Sequence, residues 1–541
     1  MIYTSPHGTL EIPEDKGAWS YVEQHASSEK ADTPAFICGV TSRQVTFAEM
    51  HTMAKQIVAG LYANGIRKGD VVILHSFNCI EFPIVFVALN RLGAICSSSP
   101  PMLNAEGLAI QIESAGAKAV ISHKALAHTA LSAARLAGVS EDMVFSIADA
   151  PESAIQVQSI EKLIALDLPF PNLPPVNPRD VVFLPFSSGT TGRPKGVQLT
   201  GRGLHAVDIE YSSLDPPGKY SLALAPFFRT GIIIFHACIY NGTATIVLPD
   251  FEPKQFLALL EKYQLEKILV PPPIILFLAH DPLVQNYDLS HLKMIVCGGA
   301  PLRVESERVV EERLGVVIVQ GYGMTELAGA ATCSSPFAKK HGSTGQLIPN
   351  VRLKVMSLTT GEPLPPNEMG EFLIHSPSVT VGYLNSPEAN QTSFDEDGFL
   401  RTGDYGYIDE DGFVFLVDRI KEFIKFEGHQ VAPAELEDFL LQHPSVADAC
   451  CVRGLDFESG EEIPKAYVVL KAAAKVGESG KVSADELMAF VNAKVAPYKQ
   501  IREVEFTDAI PKNPTGKLLR RELQVKENEK IQLAKAALEH P

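Results

Sequence analysis

Ser187-Ser188-Gly189-Thr190-Thr191-Gly192-Arg193-Pro194-Lys195-Gly196-Val197 is the stretch on which the reading of this chain turns. Asp180-Val181-Val182-Phe183-Leu184-Pro185-Phe186 precedes it and reads as a short buried strand; from Val197 to Thr200 the chain returns to apolar/polar alternation. Except for Pro194 and Val197, the loop is built of Ser, Thr, Gly and an Arg/Lys pair. Glycine frees backbone N–H groups to close on an anion, hydroxyls donate to it, and two cations neutralise it. A triphosphate suits such a loop. It is not a P-loop, because Pro194-Lys195 stands where that motif needs Gly-Lys and no long helix is expected to follow. The blander description is a solvated Gly/Ser hairpin, which a run of this length after a buried strand makes a poor fit.

Upstream, the pattern alternates strand and helix. Val71–Leu74 fits a buried strand, Cys79 to Leu92 has helical spacing, and Ala94-Ile95-Cys96 returns as strand. The cycle repeats through Ala119-Val120-Ile121, a helical 125–137 and Met143-Val144-Phe145. This βαβ rhythm predicts an α/β fold with largely parallel, doubly wound sheets. At 541 residues the chain exceeds one core, so a large and a smaller domain are expected. The net charge of −17 argues against a nucleic-acid surface but leaves room for a locally basic site. The eight cysteines are dispersed without a C-x-x-C pair, which signals neither zinc nor a disulfide framework. No secretory leader, membrane span or peroxisomal tail is evident, so a cytoplasmic protein, monomer or homodimer, is expected.

Further motifs follow in order. Ser221-Leu222-Ala223-Leu224-Ala225 leads into Pro226-Phe227-Phe228-Arg229-Thr230-Gly231. Met294 to Cys297 is a strand ending in Gly298-Gly299-Ala300-Pro301, small residues that let a flat base approach the backbone. After a second buried strand, Val316–Val319, comes Gln320-Gly321-Tyr322-Gly323-Met324-Thr325-Glu326. Tyr322 offers a ring for stacking, Thr325 a hydroxyl for phosphate and Glu326 a hard oxygen for Mg²⁺. Leu400-Arg401-Thr402-Gly403-Asp404 supplies a carboxylate suited to ribose hydroxyls. Asp418-Arg419-Ile420-Lys421 opens a charged stretch running through Lys425-Phe426-Glu427-Gly428. The C-terminal part has its own α+β pattern and holds Pro511-Lys512-Asn513-Pro514-Thr515-Gly516-Lys517, a rigid turn that projects one lysine.

Taken in this order and spacing, the motifs resemble the adenylate-forming enzymes: acyl-CoA synthetases, peptide-synthetase adenylation domains and luciferases. The likeness is greatest to coumarate–CoA ligase-like acyl-CoA ligases. It implies residues 1–420 as an AMP- and acyl-binding domain and 421–541 as a mobile lid carrying the catalytic lysine. It implies ATP, Mg²⁺ and CoA as cofactor and co-substrates, and an acid–thiol ligase acting on an aryl or medium/long-chain acid. The alternative is a CoA-independent enzyme passing the acyl group to an amine or carrier protein. A luciferase-type oxygenase and a silent binding protein of the same fold are further rivals.

By the same resemblance, Lys517, Thr325, Glu326 and Arg229 are the catalytic candidates. The nucleotide would contact Ser187, Ser188, Gly189, Thr190, Thr191, Gly192, Lys195, Gly299, Ala300, Pro301, Gln320, Gly321, Tyr322, Gly323, Met324, Thr325, Asp404 and Arg419. Thr191 and Glu326 would face the metal. Lys421, Lys425, Phe426 and Gly428 would serve the hinge and CoA. Phe227, Phe228, Arg229, Gly231, Val296, Gly298, Gly323, Leu327, Ala328 and Gly329 would shape the acyl pocket. Arg229 departs from the family, which usually has His there; an arginine can hold a carboxylate or cap a strand end.

Overall fold

The computed structural model describes the chain except residues 149–156, 188–193, 216, 229–230, 301, 303, 336–337, 428, 458, 472–481, 513–516 and 540–541, and the side chains of 536–539. Packing divides it into two units. One comprises Ile2–Leu353 and Ile374–Leu400; the other comprises Met1, Lys354–Leu373 and Arg401–Pro541.

The larger unit has three principal sheets among its described residues. In the first, of seven strands, Val71–His75 lies between Ile95–Ser99 and Ala117–His123, all parallel. The chain passes from the first of these strands to one side through helix Glu81–Leu92, then back to the other through helix Ala105–Ala115. That reversal of direction defines a doubly wound sheet, as the βαβ rhythm predicts. Burial on both faces explains the continuous apolar run Val71–Leu74, all buried. The same core holds Trp19, on helix Ala18–Ala26, with the Arg91 guanidinium 5.8 Å from its ring centroid.

The second sheet contains Tyr220–Ala223, Ala244–Val247 and Pro34–Cys38 in parallel, with Gln44–Thr46 antiparallel at its edge. In the third, Lys267–Val270, Met294–Cys297 and Val317–Met324 are parallel, and the chain then folds back antiparallel through Gly329–Cys333.

One expectation needs correction. A 14-residue helix, Gly201–Leu214, does follow the Ser/Thr/Gly loop, five residues beyond Gly196. Its opening Gly201-Arg202-Gly203 reads as a turn. Thr200 nonetheless caps it, accepting from the Gly203 N–H at 3.0 Å. Buried His205, Asp208 and Glu210 replace apolar residues on its inner face and mask the helical period.

In the smaller unit, Val446–Leu455 pairs antiparallel with Glu462–Leu470, which pairs parallel with Glu503–Phe506. Helices Pro433–Leu441, Ala484–Asn492 and Arg520–Glu539 accompany that sheet, and Ser483 caps the second as its position predicts. Arg520 pairs with buried Glu437, which also accepts the Cys451 N–H at 2.6 Å. Lys465, 4% exposed, is bound by Glu527 at 2.9 Å and Glu503 at 2.8 Å. Buried charges tolerate such sites only when paired and hydrogen-bonded, and these are.

The sequence reading placed a boundary at 420/421. By packing, Arg401–Ile420 goes with the C-terminal part. A local reason is that Asp418 accepts the Ala434 N–H at 2.8 Å, at the start of helix Pro433–Leu441.

Candidate active site

The Ser/Thr/Gly loop rises from a two-stranded hairpin in which Ser187 faces Lys195 and Phe186 faces Gly196. Ser188, Gly189, Thr190, Thr191 and Gly192 lie outside the described residues. The half-buried Lys195 carries its ammonium 5.4 Å from the centroid of the Tyr383 ring. Two residues on, Val197 bridges the backbone of Tyr383.

The Tyr322–Glu326 motif does not simply follow a strand; the strand Val317–Met324 runs through it. A single 3₁₀ turn, Thr325–Leu327, reverses the chain onto Gly329–Cys333. The two strands approach so closely at Gly323 that a Cβ there would lie 2.1 Å from the Gly329 carbonyl oxygen. Glycine is therefore a steric requirement of the turn. Glu326, 6% exposed, accepts the Tyr383 O–H at 3.0 Å through Oε1. Its main-chain carbonyl accepts the Thr380 N–H at 2.7 Å. Thr325 is half-buried beside it, and Tyr322 is buried.

The neighbouring strand Met294–Cys297 pairs Cys297 with Gln320, which sets Gly298 beside Gly321. Gly299 has φ +85° and is exposed, a backbone state that favours glycine. Pro301 lies outside the described residues. Gln320 donates to Glu307 at 3.0 Å, and Met324 is half-buried at the end of its strand.

Tyr383 belongs to none of the motifs that pointed to the site, yet its hydroxyl meets Glu326 and its ring meets Lys195. An ammonium and a carboxylate thus gather on one phenol. Magnesium keeps several waters and takes one or two carboxylates together with substrate phosphates. The oxygen donors here fit that habit, since Tyr383 engages Oε1 of a carboxylate whose second oxygen can face a cation. Among the described residues no group of three His, Cys, Asp or Glu is gathered as a metal site.

Of the acyl-pocket candidates, Arg229 lies outside the described residues. Phe227 is fully buried, with its ring centroid 5.4 Å from that of Phe82 and 5.1 Å from that of Phe235. Its ring is a core element, whereas Phe228 is half-buried. At Gly231 a Cβ would lie 2.1 Å from the Ala225 carbonyl oxygen, so the turn after Phe228 admits only glycine. Leu327 and Ala328 are buried, and a Cβ at Gly329 would meet Val207 at 2.9 Å. Val296 and Gly298 are half-buried at the end of their strand.

The remaining candidates belong to the smaller unit. Asp404, 1% exposed, sits opposite Arg419 in an antiparallel pair, and its Oδ1 lies 2.7 Å from the arginine Nε. Lys421 is exposed in the single 3₁₀ turn Ile420–Glu422. Ile424–Phe426 forms a hairpin with His429–Val431, in which Lys425 faces solvent and Phe426 faces the core; Gly428 lies outside the described residues. Lys517 is exposed, next to Leu518, which forms a backbone bridge with Lys512.

Just before the hinge candidate, burial raises the Asp418 carboxyl to about 6, against the lowering influence of Arg520 and of the Ala434 and Arg419 N–H groups. A carboxyl raised on folding favours its protonated form in the native state. Its stabilisation is complete below the unfolded value of about 4 and disappears as pH rises through about 6. Asp418→Asn should therefore flatten this unit's pH dependence between those values. Thermal unfolding of both full-length chains from pH 4 to 8 provides the check, and a parallel pair of profiles would refute the assignment.

Comparison with known proteins sets these observations in a lineage. Residues 22–384 match the model of the AMP-binding enzyme family, and residues 435–517 that of the AMP-binding enzyme C-terminal domain. A 4-coumarate–CoA ligase of Pinus taeda is 38% identical over 539 residues, 97% of either chain. Among solved structures, the o-succinylbenzoate CoA synthetase of Bacillus subtilis, in complex with ATP and magnesium ion, superposes with TM-score 0.80 at 25% identity, covering 94% of this chain and 99% of that one. An anthranilate CoA ligase in complex with anthranoyl-AMP gives TM-score 0.83 at 24% identity, over 95% and 98%. No helix among the described residues is long and apolar enough to cross a membrane.

Proposed function

This chain belongs to the AMP-binding enzymes and is an AMP-forming acid–CoA ligase; from that premise we propose that its acid is an aryl acid or a medium- to long-chain fatty acid. The observation that carries the reading is the meeting of Lys195 and Glu326 on Tyr383. The choice of acid is supported by the buried Leu327-Ala328 segment and by Gly329 lying against Val207, which are small and apolar.

A carboxylate is a poor acyl donor because its leaving group would be oxide. Attack of its oxygen on the α-phosphate of ATP forms acyl-AMP and releases pyrophosphate; a thiol then displaces AMP to give the thioester. Both initial reactants are anions, so the site's task is to cancel repulsion and hold alignment. Lys195 and the hydroxyls of the loop above its hairpin neutralise and orient the departing β- and γ-phosphates. Tyr383 holds the Glu326 carboxylate in place. Mg²⁺, when bound at Glu326, supplies electrostatic stabilisation of the phosphate charge. Asp404 accepts from ribose hydroxyls, with Arg419 fixing its orientation. Lys517 donates to the substrate carboxylate and α-phosphate. Lys425, on the solvent side of its hairpin, guides CoA when this lobe turns about Lys421, and Phe426 anchors that hairpin from the core side.

The test is a panel of acids, including cinnamate, 4-coumarate, octanoate and palmitate, scored by CoA-dependent AMP formation. At least one aryl or fatty acid should turn over well above short polar acids. Product formation that proceeds unaltered without CoA, in the presence of an amine, would favour the CoA-independent alternative.

A further inference from the structure

The loop Leu224-Ala225-Pro226-Phe227-Phe228 has an unusual source of support. Little of its polar backbone is met by a neighbouring strand; instead, side chains of a different sheet reach across to it. Asn78, 6% exposed, lies between strand Val71–His75 and helix Glu81–Leu92. Its Nδ2 donates to the Ala225 carbonyl at 3.0 Å and the Leu224 carbonyl at 3.4 Å, while its Oδ1 accepts the Phe227 N–H at 2.8 Å. On the adjacent strand, Ser98, 2% exposed, donates through Oγ to the Phe228 carbonyl at 3.0 Å. Ser98 is itself anchored, because Gln111 donates to its carbonyl at 2.9 Å. At the far end of the loop the Gly231 N–H returns to the Pro226 carbonyl at 2.9 Å, in the turn that excludes a Cβ.

A carboxamide presents a donor and an acceptor side by side, as a strand neighbour does. A buried loop that lacks such a neighbour must satisfy its backbone by other means. Asn78 performs that role for three backbone groups at once, and Ser98 for a fourth. The loop leads directly into Arg229 and Gly231 on the acyl side of the site. We propose that Asn78, seconded by Ser98, is a positioning residue for the acid: it fixes the backbone of residues 224–228 and so sets the wall against which the acyl group is aligned. This rests on the acyl-pocket reading of 227–231. Neither residue touches substrate, so the expected signature is selective for the acid.

Two measurements on the full-length chain decide the matter. In acid-dependent exchange of pyrophosphate into ATP, with cinnamate and octanoate as probe acids, Asn78→Ala and Asn78→Asp should raise the KM for acid roughly 10- to 100-fold, the scale of losses caused by misplacing a bound reactant. The KM for ATP should stay within about 3-fold, because the phosphate hairpin and Glu326 are untouched. Asn78→Asp keeps the acceptor for Phe227 but turns a carboxylate oxygen against the Ala225 and Leu224 carbonyls, so it should be impaired at least as much as Asn78→Ala. Ser98→Ala should move in the same direction by a smaller factor, and Ser122→Ala, a buried serine on the same sheet, should not move at all. Equal rises in both KM values would overturn the proposal in favour of general loosening. Hydrogen exchange supplies the second arm. Asn78→Ala should release the amides of 224–231 while the strands 71–75 and 95–99 keep their protection; an unchanged loop would also overturn it. Should neither probe acid support exchange in the parent chain, the choice of acid fails, whereas the hydrogen-exchange arm still decides the clamp.

Discussion

Lys517→Ala should lower acyl-adenylate formation by roughly 10²- to 10³-fold, the penalty for deleting one preorganised donor to developing charge. The reason lies in the reactants: a carboxylate must approach a polyanion, and an ammonium between them lowers the barrier more than it tightens either ground state. The variant should bind ATP nearly as well as the parent. Supplied with preformed acyl-AMP and CoA it should still make thioester at close to the parental rate, since departure of AMP needs no bridge between two anions. Measuring the halves separately, by pyrophosphate exchange and by thioester formation from acyl-AMP, gives the test. Comparable losses in both halves would remove Lys517 from its assigned role. Its side chain is exposed, so truncation there should leave the fold intact.

The mirror-image outcome is expected for Lys421→Pro. Lys421 lies in one 3₁₀ turn between the strand ending at Arg419 and the strand starting at Ile424, a place where a few backbone angles redirect everything downstream. Proline fixes φ near −65° and restricts the residue before it, which denies the turn a second set of angles. Adenylation should remain within about 3-fold of the parent, while thioester formation from acyl-AMP should fall by roughly 10²-fold or more, as expected when closure gates a step. Lys421→Ala controls for loss of the charge and should leave both halves near normal. A proline variant with unaltered overall turnover would deny this residue its hinge.

Much of the architecture was legible because its signals are local. Val71–Leu74 is apolar throughout since both faces of its sheet are covered, and Ser483 announces the helix behind it by its own hydroxyl. The Ser/Thr/Gly loop and the Tyr322–Glu326 stretch made the family legible, as each is a run of consecutive residues. Helix Gly201–Leu214 was not: two glycines open it, and buried acids and a histidine interrupt its apolar face. Tyr383 and Asn78 escaped for a different reason. Their partners lie 57 and 149 residues away in sequence, Glu326 and Phe227 respectively, and neither stands in a run whose composition hints at a task. A lone tyrosine and a lone asparagine acquire meaning only when folding supplies their neighbours.

Trp19 has a practical bearing on all of these variants. It is the sole tryptophan of the chain and sits 8% exposed in the larger unit. Indole emission during denaturation consequently follows the melting of that unit and is silent on the other. The Asp418 and Lys421 variants call for a probe of their own. An indole introduced at Val525, 48% exposed on the final helix, would provide one at little steric cost. In a Trp19→Phe background that indole reports on the smaller unit alone, so the parent and the variant followed side by side separate the two melting events.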